Sequence, residues 1–491
     1  MTIHSPPQAF QQRLDAAAIT RPMVGLWALS ASLIALDGFD FFIIGVALPF
    51  LQQDWQLGPA AVGAVAAAAV AGALVGSLTL GPLADRVGRQ PMLIADVVLF
   101  VVAATGSALA WNLPSLVAFR FLVGVGIGAD YPLSVAYIVE NIPARHRDRM
   151  VIGAFSFQAV GALLGALTGI AVIASFAAIY PDEGGLSEGG AAVHYAWRWM
   201  LGVGALLALG VALLRLGFSL ESPAYLLAKG QYGAASEAAT ILLGEPTTLH
   251  PADSSHPSNA PTALGYRDLF AAAYRRQTIL AAVPWFLQDI ATYGVGIFTP
   301  VILATLTFDG GIGVSARTLA AAQGAALVDL FLIAGFLLAI GLVKPVGPIA
   351  LQIIGFGGMA LGLGLLAIST ELSPGGHAAL GLTFGGFLLF NLLMNAGPNA
   401  TTFLLSGRVF PAALRASGAG LAAALAKAGA VAGTFGLPIL QQILGLGPTL
   451  VLLALLCGLA ALITALYRNA LPALEMGEVD QILAVGVGSK G

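Results

Sequence analysis

The sequence is dominated by apolar runs of about 20 residues, the length at which an α-helix crosses the hydrocarbon core of a bilayer. Twelve such runs follow one another along the chain. Apolar residues make up 58% of the 491 residues and charged residues only 9%, whereas a soluble domain carries about 25% charged residues. These features predict an all-α polytopic membrane protein and exclude a soluble enzyme, a secreted disulfide-linked scaffold and a disordered chain.

The twelve runs divide six and six around a polar segment that contains PADSSHPSNAPTA, a composition typical of a flexible linker. No cleavable signal pattern precedes the first run, which should therefore remain as a span. The predicted spans are 24–50, 60–83, 92–111, 114–141, 151–180, 197–217, 277–304, 318–343, 347–370, 376–406, 414–441 and 446–467. The predicted parts are an N-terminal segment 1–23, a six-helix half 24–217, a linker 218–276, a second half 277–468 and a tail 469–491.

The distribution of Lys and Arg predicts the orientation, because cytoplasmic loops of membrane proteins are enriched in these residues. If the N-terminus is cytoplasmic, all but four of the 21 Lys and Arg residues lie on the cytoplasmic side. Of those four, Arg198 and Arg317 face outward, while Arg120 and Lys427 lie within spans. We therefore expect both termini in the cytoplasm. The Ala/Gly/Leu-rich composition and short loops favour a bacterial inner membrane.

The two halves resemble each other at corresponding positions. Arg147 follows the fourth span and Arg415 follows the tenth, each four residues after a proline. Asp37 in the first span corresponds to Asp289 in the seventh. Transporters are commonly built from such repeats, with the substrate bound at their interface near the bilayer midplane.

Charged side chains at membrane depth are costly and mark functional sites by default. The alternative for any single residue is a structural ion pair or a helix cap. No histidine lies in mid-span, so we expect any proton relay to use carboxylates. The charged residues within spans are Asp37, Asp40, Asp130, Asp289 and Lys427, with Asp329 less central and Arg120 nearer the outer end.

The seventh and tenth spans each carry a polar stripe with helical spacing. Trp285, Asp289 and Tyr293 recur every four residues, and the central carboxylate disfavours a plain packing role. On the tenth span, asparagines at 391, 395 and 399 form a second stripe, for which polar contact between helices is an equally good explanation. In the fifth span, Gln158 precedes Gly161 and two further glycines, which predict close helix packing that would bring Gln158 near the central axis.

Several motifs give the chain a family resemblance. GPLADRVGRQ at 81–90 resembles the loop signature of the major facilitator superfamily. RFLVGVGIGADYPLS, WFLQDIATYG and NAGPNATTF are similar to motifs of its phosphate:proton symporter branch, and ESPAYL resembles a signature of the related sugar porters. The resemblance implies twelve helices in two pseudo-symmetric six-helix halves, a monomer in the bilayer, and transport of inorganic phosphate with protons.

The resemblance also implies roles for individual residues. Phosphate ligands would be Tyr131, Gln158, Trp285, Asp289, Tyr293, Lys427 and either Asn395 or Asn399. Proton coupling would involve Asp37 or Asp40, with Asp130 and Asp289. Gating residues at the inner face would be Gly81, Asp85, Arg86, Gly88, Arg89, Glu140, Arg147, Glu221, Arg408 and Arg415.

This sequence departs from the family pattern at several places, one of them the IFTP that follows the seventh-span motif. The second-half copy of the loop signature keeps only Lys344, Arg408 replaces a glutamate, and Ala224 stands where sugar porters have arginine. We therefore expect the inner gate of the C-terminal half to close through different contacts.

The sequence is also compatible with other functions. A sugar would suit the amide side chains, and an organic or aromatic acid would suit DGFD in the first span, which resembles aromatic-acid symporters. A non-transporting nutrient sensor is an alternative of another class. The sequence lacks HExxH and GxxxxGK[ST], its single cysteine is Cys457, and its net charge is −3. No enzymatic activity, cofactor, metal or nucleic-acid partner is expected.

Overall fold

The protein is an all-α bundle in the computed structural model, which describes residues 10–180, 190–218, 220–250, 266–307, 314–410 and 414–470. Within these ranges there is no β-strand. The N-terminal half contains α1 (Phe10–Ala16), α2 (Arg21–Trp55), α3 (Pro59–Val87), α4 (Arg89–Ala108), α5 (Leu113–Asn141), α6 (Ala144–Ile179) and α7 (Ala191–Gly217).

Two short helices, α8 (Pro223–Ala228) and α9 (Tyr232–Leu243), lie between the halves. We call the face of the molecule that carries them the linker face and the other side the opposite face. The C-terminal half contains α10 (Arg275–Ile297), α11 (Thr299–Thr307), α12 (Val314–Val346), α13 (Pro348–Ser369), α14 (His377–Ala396), α15 (Pro398–Arg408), α16 (Arg415–Leu444) and α17 (Leu446–Tyr467).

The prediction of an all-α bundle of twelve spans is confirmed. Ten spans, one of which joins α14 to α15, are by themselves long and apolar enough to cross a membrane. The pair α10 and α11 forms a further span, bent by 59°. The twelfth is α5, whose apolar part is Leu113–Gly128. The loop 181–189, all of PADSSHPSNAPTA and the terminal segments 1–9 and 471–491 lie outside the described residues.

Local sequence explains where several helices begin and end. Thr20 caps α2, its hydroxyl accepting a hydrogen bond from the Met23 amide at 3.4 Å. Asn112 caps α5 by accepting from the Ser115 amide at 2.9 Å, and the Ser115 hydroxyl accepts in return from the Asn112 amide. Such reciprocal caps satisfy backbone groups that would otherwise lack partners.

The two halves meet along two helix pairs. On one side α3 packs against α16, and on the other α6 packs against α12. Within the halves, α2 packs on α6 and α10 packs on α16. These two inner pairs carry most of the polar side chains described below, so the fold brings polar groups of both halves to the central interface.

Candidate functional site

A lysine, a phenol and a carboxylate lie together in the C-terminal half. The Lys427 ammonium donates a hydrogen bond to the Tyr293 hydroxyl at 2.8 Å and lies 3.8 Å from a carboxylate oxygen of Asp289. Asp289 is 3% exposed and Tyr293 6% exposed. The predicted stripe on α10 thus faces the interior, and α16 supplies its cation.

A close approach of two helices positions this cluster. A Cβ atom on Gly433 would lie 2.1 Å from the Ile290 carbonyl oxygen, so any larger residue would separate α16 from α10. Lys427 precedes Gly433 by less than two turns of the same helix. The small residue therefore allows the lysine to reach the carboxylate on the facing helix.

The N-terminal half contributes Gln158 and Asp37 from the other side. The Gln158 amide makes a long contact of 3.5 Å with the Tyr293 hydroxyl, across the boundary between the halves. Asp37 is fully buried and interacts electrostatically with Lys427. A Cβ atom on Gly161 would lie 1.9 Å from the Ala35 carbonyl oxygen, which shows the close packing of α6 on α2 that the glycines predict.

A chain of amides forms the second part of the site. Gln288 donates to the Asn399 side-chain oxygen at 3.1 Å and accepts from the Thr402 hydroxyl at 2.9 Å. Asn399 donates to the Asn395 side-chain oxygen at 2.7 Å, and Asn395 donates to the Asn391 carbonyl at 2.9 Å. The asparagines of the tenth span are therefore connected to α10 through a glutamine.

Gln288 is the main polar residue of the site that sequence reasoning missed. It is fully buried, next to Asp289 in the chain. Adjacent helical residues point about 100° apart, so Gln288 falls outside the four-residue stripe and faces α15 instead. Its position beside Asp289 in WFLQDIATYG was the available signal.

Aromatic and backbone contacts close the site on both sides. On its linker side, the rings of Phe155 and Phe403, one from each half, lie 4.7 Å apart, and Trp285 packs edge-on against Phe403. On the opposite side, a Cβ atom on Gly45 would lie 1.9 Å from the Ile297 carbonyl oxygen. The polar cluster is therefore enclosed between the two halves.

Asp40 lies in a different environment from its neighbour Asp37. Both of its carboxylate oxygens lie 2.8 Å from one guanidinium nitrogen of Arg120, and Arg120 is completely buried. Arg120 is therefore buried inside the bundle, although it lies near the start of α5. Asp37 and Asp40 are thus only three residues apart but face different partners.

The predicted gating residues that the structure describes lie at the linker face. Glu221 accepts hydrogen bonds from the Gln90 amide at 3.1 Å and the Ser222 amide at 2.9 Å. Gly88 has a φ of 118°, and a Cβ atom there would lie 2.7 Å from Glu221, so the turn before α4 requires glycine. Glu140 and Arg408 are half-buried at the same face.

Arg147 contacts the chain before α2. Its guanidinium donates to Asp15 at 3.1 Å and to the Ile142 carbonyl at 2.9 Å. Several predicted site residues have side chains outside the described part of the structure: Gly81, Asp85, Arg86, Arg89, Asp130, Tyr131 and Arg415.

The sequence matches the family described as sugar (and other) transporters over residues 27–481. The chain belongs to this family. With the twelve-helix fold, this makes it a transporter of the major facilitator superfamily, as the motifs suggested.

Individual members of this superfamily resemble the transporter over most of their length. It is 29% identical to a probable inorganic phosphate transporter 1-6 of Arabidopsis thaliana, across 85% of this chain and 86% of that one. It is 28% identical to a putative metabolite transport protein, YaaU, of Escherichia coli, across 85% of each. The fold superposes on the xylose transporter XylE of E. coli with a TM-score of 0.69 at 20% identity, covering 90% of this chain and 98% of XylE.

Proposed function

We propose that this transporter is a proton-coupled symporter of inorganic phosphate, with its site between the halves. The observation that carries the proposal is the Lys427 ammonium, held inside the membrane 2.8 Å from the Tyr293 hydroxyl and 3.8 Å from Asp289. A buried cation with a neighbouring donor suits an oxyanion, because charge-assisted hydrogen bonds are the strong ones. Gln158 and Trp285 complete the proposed ligand set, with Tyr131 and one asparagine of the amide chain.

The carboxylate next to the lysine supplies the proposed coupling. An ionised Asp289 would repel an incoming phosphate at short distance, where screening by solvent is weak. A proton on Asp289 removes that repulsion and provides a donor to a phosphate oxygen. Loss of the proton at the other side of the membrane restores the repulsion and favours release. Phosphate and proton would thus bind together and leave together.

We assign the coupling role to Asp289 and Asp37 rather than to Asp40. Asp37 interacts with Lys427, whereas the Asp40 carboxylate is held by Arg120 at 2.8 Å. Asp130 stays a candidate for proton coupling on the basis of the sequence.

The amide chain favours an anion over a neutral sugar. Gln288, Asn395 and Asn399 already bond to one another and to backbone groups, so fewer of their donors and acceptors remain for sugar hydroxyls. A sugar remains the second candidate, because XylE shares the fold. An organic acid would use the same lysine, and a sensor would bind phosphate without moving it.

Alternating access would proceed by movement of the two halves around the site. The linker face would lie on the cytoplasmic side of a bacterial inner membrane, together with both termini. Residues 218–276 would form the cytoplasmic linker that separates the two halves. The contacts of Phe155 with Phe403 would open toward the cytoplasm, together with the Glu221 and Arg408 region. The transporter would work as a monomer.

The test is uptake of labelled phosphate into proteoliposomes, with and without a proton gradient directed inward. The proposal predicts uptake that increases with the gradient, disappears with a protonophore and resists excess glucose or benzoate. Inhibition by glucose would favour the sugar, and inhibition by benzoate the aromatic acid. Phosphate binding by equilibrium dialysis without any flux would favour a sensor.

Neutralising the coupling carboxylate gives a sharper test. We expect Asp289→Asn to abolish gradient-driven accumulation of phosphate, because the amide cannot exchange a proton. Glu237→Gln, at an exposed position on α9, is the matched control and should transport normally. Full gradient-driven accumulation by Asp289→Asn would refute the coupling role.

A further inference from the structure

A further buried carboxylate, Asp329, lies on α12 at membrane depth. It is 7% exposed. Among the described residues it has no hydrogen bond or ion pair, in contrast to Asp40 and Asp289, each of which has a cation nearby. A structural role would ordinarily show a partner, because an isolated ionised carboxylate is very unfavourable in an apolar environment.

Asp329 faces a small cavity between the halves, with room for about one water molecule. Gly296 in its lining lies three residues beyond Tyr293, or about 5 Å along the helix toward the opposite face. The lining residues come from both halves and, apart from Asp329, are apolar, glycine or threonine: Phe42, Val46, Ala162, Ala166, Gly296, Thr299, Pro300 and Ala325.

No second charge faces this cavity from the packed helices. The elements that contact α12 are α2, α6, α11, α13 and α14. Neither α11 nor α13 contains a titratable residue, α6 has none after Arg149, and α14 has only His377 at its first position. The acids of α2 are Asp37 and Asp40, which interact with Lys427 and Arg120, and Asp54 near its last turn, which pairs with His194 and accepts a hydrogen bond from the Trp197 indole. On α10, Asp289 and Tyr293 come before Gly296 in the chain and belong to the proposed substrate site, not to the lining of this cavity.

The cavity lies where the halves close on the opposite side of the site. Next to it, Gly45 of α2 approaches the Ile297 carbonyl of α10, and Phe42 contacts Gly296. Opening of this contact would admit water from the opposite face to Asp329, and closure would bury the carboxylate again. In the proposed transport cycle, the movement that encloses the substrate would therefore change the hydration of this acid.

We propose that Asp329 is a proton-binding gate of the opposite face, distinct from the coupling carboxylates; this rests on the proposed function. A proton from water at that face adds to a carboxylate oxygen, and the neutral acid can then be buried as the halves close. The ionised form resists closure and repels an approaching anion. The proton returns to the same face on reopening, so Asp329 controls the rate of uptake without adding a transported proton.

The test compares Asp329→Asn with wild type in proteoliposomes. At pH values where an acid is mostly ionised, each pH unit changes its protonated fraction about tenfold. In a plot of the logarithm of the initial phosphate uptake rate against external pH, the slope should therefore be smaller in magnitude by about one for Asp329→Asn than for wild type. Steady-state accumulation under a fixed gradient should be unchanged. Loss of accumulation would make Asp329 a coupling residue and overturn the gate.

Two variants serve as controls. Asp329→Glu should keep the wild-type pH dependence. Glu371→Gln, exposed between α13 and α14, removes an acid from the same face without reaching the cavity and should change nothing. An unchanged pH slope in Asp329→Asn, in protein that still exchanges phosphate, would overturn the proposal.

A spectroscopic measurement tests the same site independently of the substrate. Infrared difference spectra of the purified wild-type protein should show a carboxylic-acid carbonyl band that titrates with pH and is missing in Asp329→Asn. This holds even if phosphate uptake fails, so failure of the substrate assignment and failure of the gate are distinguishable. A band that responds to Na⁺ at constant pH would indicate a metal-cation site instead of a proton site. If Asp329→Asn loses no band, protonation of Asp329 is refuted.

Discussion

The two halves hold a carboxylate and a cation inside the membrane in different ways. In the N-terminal half, both oxygens of Asp40 lie 2.8 Å from Arg120. In the C-terminal half, Lys427 lies 3.8 Å from Asp289 and donates instead to Tyr293 at 2.8 Å. One Asp289 oxygen accepts no hydrogen bond from a described residue.

This difference separates a fixed pair from an adjustable one. Arginine is always charged and holds a carboxylate with several donors in a planar arrangement, whereas lysine is a compact point charge on a flexible stem. The Asp40–Arg120 pair therefore suits a constant structural contact. Asp289 keeps capacity for a proton or a ligand, as a site that changes state in each cycle requires.

Breaking the fixed pair should have the largest effect. Arg120→Leu leaves Asp40 buried without its cation, which costs about 3–5 kcal/mol. We expect poor yield of folded protein and a lower midpoint in thermal unfolding of the purified transporter.

The double variant Asp40→Asn with Arg120→Gln is the control, because it removes both charges and replaces them with groups that can bond to each other. It should recover much of the stability. If Arg120→Leu unfolds at the wild-type temperature, the pair is not a structural contact.

Changing the adjustable pair should affect binding more than folding. Lys427→Gln removes a charged donor that we assign to the substrate, and such hydrogen bonds contribute about 1.5–3 kcal/mol. Phosphate should therefore bind about ten- to a hundredfold more weakly, measured by equilibrium dialysis or by the concentration for half-maximal uptake. Lys344→Gln, exposed near the end of α12, is the matched control; equal effects of the two variants would contradict the assignment.

The smallest expected effect tests how Lys427 reaches the carboxylate. Gly433→Ala places a methyl group where a Cβ atom would lie 2.1 Å from the Ile290 carbonyl oxygen, and such overpacking costs about 1–3 kcal/mol. We expect a lower unfolding temperature and weaker phosphate binding as α16 moves away from α10.

Gly436→Ala on the same helix has no atom within 4 Å of the added carbon and should behave as wild type. Similar losses in both variants would show that contact with α10 is not the cause, because alanine favours a helix more than glycine does and the change at Gly436 meets no neighbouring atom.

The sequence predicted the number and type of helices well because hydropathy reports the lipid-crossing part of each one. It placed the start of the fifth span at 151, whereas α6 begins at Ala144. The first residues of α6 are charged and lie beyond the apolar run, where hydropathy gives no signal. The breaks in the seventh and tenth spans occur beside Pro300 and Pro398, where a proline interrupts the backbone bonding.

The pairing of charges could not be predicted in the same way. Asp40 and Arg120 are 80 residues apart, and periodicity within one helix says nothing about which neighbour a side chain meets. The α10 stripe identified Asp289 and Tyr293 because a carboxylate among aromatics is unusual at membrane depth. It missed Gln288, and it gave no reason to connect Asp329 with a cavity that four helices besides α12 enclose.

The bend of 59° between α10 and α11 has a pharmacological consequence. On the N-terminal side, α2 and α6 continue as unbroken helices of 35 and 36 residues, while α11 is a separate segment of nine residues. In the proposed cycle, this short segment would move at the opposite face without the movement of a whole span. A compound wedged against α11 would inhibit uptake without resembling the transported anion, and such inhibition would be non-competitive.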